Sequence, residues 1–143
     1  MATVEELQRR LSDSRLRSLE EQALSRVLAV VEGNVKRHTP VKTGNLRRTI
    51  THRVERPGVR GVVGTNASYA RPVHEGSRAH LIRPRRASVL RFKVGSKIIY
   101  SKLVRHPGTR GQPFMLEGLV ASRDSIRDIL SDTGQNFFRG DVR

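Results

Sequence analysis

The strongest constraint in this chain is a helical stripe that ends at a proline. Between residues 14 and 38, Leu16, Leu19, Ala23, Val27, Val30 and Val31 lie along one side, widened by Leu24, Leu28 and Val35. Glu20, Glu21, Arg26, Glu32 and Lys36 fall elsewhere. That period is what a helix needs to bury one face. Gly33 weakens the last turns, and Pro40 stops the helix because its ring drives Thr39 out of helical dihedrals. With 143 residues, 36% hydrophobic and only 4% aromatic, such a helix can anchor one domain with a modest aliphatic core.

The segments around it read in order. Residues 1–13 form either a short helix, capped by Thr3 and Glu6, or an arm that orders against a partner. "TPVKTGNL", 39–46, is a turn. Leu46, Arg48, Ile50, His52 and Val54 alternate, which predicts a strand; after Pro57-Gly58 the stretch 58–65 pairs with it antiparallel. "SYARPVHEG", 68–76, suits a short helix closed by Gly76, with Tyr69 and Val73 packing on the sheet. Residues 77–88 form a basic loop. The stretch 89–104 is a hairpin, and aligning Leu90, Phe92, Val94, Ile98 and Tyr100 on one face requires a three-residue loop, Gly95-Ser96-Lys97. "RHPGTRGQP", 105–113, is a loop, and Pro113 opens an amphipathic helix through Leu116, Leu119, Val120, Ile126 and Leu130.

This order predicts an α+β fold: a small antiparallel sheet with a long N-terminal helix and a C-terminal helix packed on it. The expected organisation is an arm or short helix at 1–13, one domain at 14–132, and a mobile tail at 133–143, which carries Phe137 and Phe138. Gly44, Tyr69, Gly76, Pro107, Gly108 and Pro113 are expected to shape turns and helix ends.

Charge narrows the function. The formal charge is +15, and between Lys42 and Arg110 the only acids are Glu55 and Glu75. Arg78, Arg83, Arg85, Arg86, Arg91, Lys93, Lys97, Lys102, Arg105 and Arg110 follow in series, so this stretch is expected to meet an anionic partner. Two readings stand: docking on acidic protein neighbours, which is preferred, and non-specific contact with nucleic acid phosphates. Few aromatics argue against base stacking. The absence of cysteine excludes disulfides, thiolate zinc sites and a cysteine nucleophile. His74, His80, His106 and Glu75 lack metal-ligand spacing, and no cofactor is expected. The centre has too few carboxylates for glycosidase or two-metal chemistry. His74 and Glu75, as neighbours, do not face each other on a helix. No enzyme is expected. "HPGTRGQP" lacks the phosphate-loop pattern and reads as a connector. The charged N-terminus carries no secretory h-region, and no apolar run of membrane length occurs.

Four stretches then carry a resemblance. "HTPVKTGNLRRTI", 38–50, resembles P-x-x-T-G-x-L-R-x-S-I, with Thr49 where serine is common. "GVVGTNASYARPVHEG", 61–76, resembles a strand followed by Y-A-x-x-V-E-x-G, with the acid at Glu75. "HLIRPRRASVLRF", 80–92, and "VRHPGTRGQPFMLEGL", 104–119, resemble the following loop-to-strand segment and the H-P-G-x-x-x-x-P-F-L approach to the last helix. The chain thus resembles the siphophage neck family of head–tail joining and tail-completion proteins, of lambdoid type, related in fold to tail terminators. The resemblance implies a virion structural protein in the neck between head and tail, passing through the host cytoplasm during assembly. It implies a homo-oligomeric ring, a hexamer, whose neighbours are other neck and tail proteins, with non-specific contact with DNA in the channel and no membrane partner. A non-specific DNA-binding protein is the alternative, and a nuclease or toxin a more remote one.

Overall fold

Helix α1 runs unbroken from Val4 to His38 in the computed structural model, which describes residues 3–57 and 59–138. The stretches 1–13 and 14–38, expected as separate elements, share this one helix from Val4 onward. The two stretches join because Ser12, Asp13 and Ser14, though weak helix formers, neither remove a backbone N–H nor offer a C-cap glycine. The helix stops where Thr39 turns its hydroxyl back to donate to Val35 O at 2.6 Å, and His38 Nδ1 lies 2.9 Å from Asn34 O. Lys36, Arg37 and His38 in the last turn complement the helix dipole.

The remaining elements, in chain order, are α2 (Asn45–Thr49), β1 (Ile50–Arg56), β2 (Arg60–Thr65), α3 (Ala70–Glu75), β3 (Gly76–Ser77), β4 (His80–Ile82), β5 (Leu90–Val94), β6 (Lys97–Ser101), β7 (Val104–His106), β8 (Thr109–Arg110), α4 (Phe114–Ala121) and α5 (Arg123–Phe138). The fold is α+β, as the sequence predicts, with every strand pair antiparallel. It divides into two compact units, residues 1–68 with 114–143, and residues 69–113.

In the first unit α1 packs on the β1–β2 hairpin, α4 and α5. Ile50, Phe114, Val35 and Leu28 form the heart of the core. Two glycines let backbones close in. A Cβ on Gly61 would lie 2.3 Å from Leu28 Cδ1, and one on Gly118 would lie 2.5 Å from Val35 Cα. Beside the second contact, Asn34 Nδ2 donates to Ser122 Oγ at 2.8 Å, and Ser122 Oγ donates to Gly118 O at 2.7 Å. Both side chains are buried, so this bond satisfies polar groups that would otherwise cost about 1–3 kcal/mol each.

Three local expectations are corrected here. Leu46 and Arg48 belong to a helical turn, not a strand. Gly44 precedes it with φ +77°, Arg48 N–H donates to Gly44 O at 3.1 Å, and Thr49 Oγ1 donates to Leu46 O at 2.9 Å, so Leu46 is buried from the helix instead. The C-terminal helix is broken in two at the fully buried Ser122. It also continues through Gly134 to Phe138, because one glycine lowers helix stability by about 1 kcal/mol without ending it. Residues 139–143 of the expected tail lie outside the described residues.

Glu32 ties α1 to β1. Its carboxylate accepts hydrogen bonds from Lys36 Nζ and from His52 Nδ1. The bond from Lys36, helped by that from His52, holds this carboxyl below its ordinary value of 4.5 against partial burial, which acts the other way. A carboxyl with a depressed folded pKa adds stability above its unfolded value and loses it as pH falls through the folded one. Glu32→Gln is therefore expected to cost about 1 kcal/mol at neutral pH, limited by solvent around the half-exposed partners. The difference from the unaltered protein should shrink as melts are taken below pH 4.5; a difference constant with pH contradicts this.

Candidate functional site

The second unit is a nested ribbon. Gly76 and Ser77 pair with Arg110 and Thr109; His80, Leu81 and Ile82 pair with His106, Arg105 and Val104; then Leu90 through Val94 pair with Ser101 through Lys97. So part of the expected basic loop, and of the expected 105–113 loop, is strand. What stays loop is residues 83–89 on the outgoing side, facing only Lys102 and Leu103 on the return. There Ser101 Oγ donates to Leu103 O at 2.6 Å and accepts from Leu103 N–H at 3.2 Å, closing the short side of the joint.

Glycines set the base of the ribbon. Gly76 has φ +84°, and a Cβ there would lie 2.5 Å from Thr109 O; Gly108, after Pro107, has φ +92°, and its Cβ would lie 2.3 Å from Ser77 O. Gln112 N–H donates to Val73 O at 2.9 Å and ties the return strand to α3. Pro72 sits in the first turn of α3, where no donor is required, and Pro113 stands immediately before α4. Tyr69 stands immediately before α3 and is 43% exposed, whereas Ala70 after it is buried.

The tip also departs from expectation. Val94 pairs with Lys97, so the turn has two residues, Gly95 and Ser96, with a positive φ at Gly95. Gly followed by serine, with only the first residue at positive φ, is the pattern of a type II′ turn. The two-residue register places Phe92 opposite Ile99, and Ile98 and Tyr100 on the side of Arg91 and Lys93. The apolar residues are thus split between two faces, with Leu90 and Phe92 half-buried and Tyr100 63% exposed.

The structure strings the basic residues along this ribbon instead of gathering them at one point. Arg78 and Arg110 lie near its base, Arg105 opposite Leu81, Arg83, Arg85 and Arg86 in the loop, and Arg91 and Lys93 near the tip. All eight are exposed, and among the described residues none is in an ion pair. Residues 69–113 hold eleven Lys or Arg against a single acid, Glu75. That acid is bonded to Arg71 Nε at 2.9 Å. His80 and His106 are brought together as a stacked cross-strand pair, centroids 5.0 Å apart. Among the described residues no group of three or more His, Asp or Glu could hold a metal. On the first unit, an open furrow of about 530 Å³ beside Thr51, Arg53, Val62, Gly64 and Asn66 contains no carboxylate. No described helix is long and apolar enough to cross a membrane.

One unit is thus a helix-supported hairpin, and the other is a ribbon rich in exposed cations. Residues 2–76, just over half of the chain, match the family model described as "Bacteriophage HK97-gp10, putative tail-component". The chain belongs to this HK97-gp10-like family of phage tail-component proteins. No curated protein and no solved structure gives a significant match. The matched region takes in α1, α2, β1, β2 and α3 and ends at Gly76, where the ribbon begins.

Proposed function

We propose that this chain is a structural protein of the tailed-phage neck that assembles as a hexameric ring and joins the DNA-filled head to the tail. The observation that carries this reading is the family match across the helix and first hairpin. The cationic ribbon supports it, as a surface through which a ring would stack on acidic neck or tail neighbours. The test is the copy number of this protein relative to the portal in purified particles, by quantitative mass spectrometry. One ring per particle is expected, and absence from particles overturns the reading.

The loop makes the reading specific. Arg83, Arg85 and Arg86 sit between two ladders and contribute no side-chain hydrogen bond among the described residues. Replacing all three with alanine should leave the melting temperature unchanged while lowering the yield of joined, infectious particles. An unchanged yield would count against the loop as a docking element. The charge of the ribbon favours a second reading, non-specific DNA binding. That reading requires retention of linear duplex whose affinity falls with salt by a log–log slope of about 0.9 per phosphate contacted.

A further inference from the structure

Two surfaces in this molecule each lack what the other supplies. One is the tip of the ribbon. Leu90, Phe92, Val94 and Ile99 share one side of the β5–β6 ladder with Lys97 and Ser101, and Val94 and Ile99 are exposed. A two-stranded hairpin is marginal in water until a helix or third strand covers its apolar side. The other surface is α4. Phe114 and Gly118 face inward, whereas Leu116 and Val120, one turn apart on the opposite side, are 57% and 64% exposed, with Leu119 beside them. A helix apolar on both sides belongs where both sides are covered.

Charge points the same way. The adjoining α5 carries Asp124, Asp128 and Asp132 at four-residue spacing, all exposed, and none is in an ion pair among the described residues. Like charges at this spacing destabilise a helix. In a chain of net charge +15, this acidic ladder stands next to an uncovered apolar helix.

We infer that the β5–β6 tip of one copy lies across α4 of the next copy. Its apolar side covers Leu116, Leu119 and Val120, and Lys97 on that same side meets the aspartates of α5. The occupant is a second copy of this chain because cation and apolar surface on the tip meet acid and apolar surface on the helices. A phosphate backbone would make no use of Val94 or Ile99. The contact joins two different patches, so it is head-to-tail, the kind that closes into a ring. It rests on the ring reading above and assigns that ring its interface.

The test uses the full chain and light scattering after size exclusion. One variant reverses the tip, Lys97→Glu; another reverses the ladder, Asp124→Lys with Asp128→Lys. The unaltered chain should be one closed oligomer and each variant a monomer. An equimolar mixture of the two should regain the oligomer, which also shows that both fold. Leu116→Ser with Val120→Ser, at two side chains more than half exposed, should likewise give a folded monomer. An oligomer that survives the reversals, or native variants that stay monomeric when mixed, overturns the contact and leaves the ring. An unaltered chain that is monomeric at every concentration overturns both. A tip reversal that abolishes DNA retention while the oligomer persists gives the tip to nucleic acid and overturns the inference.

Discussion

Gly118→Val should destabilise the helical unit by about 3 kcal/mol or more, at the upper end for overpacking. Even the first carbon of a side chain at this position would lie 2.5 Å from Val35 Cα and 2.6 Å from Val35 N. These are backbone atoms of α1, so no rotamer change relieves the clash and the two helices must part. Parting them also strains the buried bond from Asn34 to Ser122, one turn beyond Gly118. In a chain of this size the loss corresponds to a fall in Tm of roughly 10 °C. Gly134→Ala is the control: a Cβ there meets nothing within 4 Å, and the change should add up to about 1 kcal/mol. Thermal melts of the two variants decide the matter, and equal melting temperatures contradict it.

The second large effect is expected at Gly76→Val. With φ +84° and ψ −177°, Gly76 occupies a region that is essentially glycine's own. A side chain there would also meet Thr109 O at 2.5 Å and Gly111 N at 2.6 Å. Backbone strain and overlap together should cost about 3 kcal/mol and open the ribbon at its base. Limited proteolysis should then cut within residues 76–110 faster than in the unaltered chain, and Tm should fall. An unaltered melting temperature would show that the β3–β8 pairing does not hold the ribbon.

How much of this was legible in the sequence depended on whether a face is buried. The stripe from Leu16 to Val35, the β1–β2 hairpin and the helix closed by Gly76 were readable because local period and turn chemistry determine them. The tip was misread for the opposite reason. Aligning all the apolar residues on one side assumes that one side is fully covered, whereas Val94, Ile98, Ile99 and Tyr100 are exposed across both sides of this ribbon. The Gly95-Ser96 dipeptide was the better guide. The pairing of His80 with His106 joins strands of only three residues, too short to leave a period. Leu46 and Arg48 alternate with Ile50 as a strand would, because a single helical turn imitates alternation over so few positions. Of the candidate surface, the cations were plain in the sequence, but the exposed Ile98, Ile99 and Tyr100 beside them became visible only with the register.

The unequal joint in the ribbon makes residues 83–89 an exchangeable module. Pairing below the joint is set from the glycine-lined base and pairing above it from the turn at Gly95. Residues can be inserted or removed between Ile82 and Leu90 without shifting any cross-strand pair. Closing a loop twice as long costs only about 0.6 kcal/mol more. The loop can therefore change its length and charge while the pairing on both sides of it stays as it is.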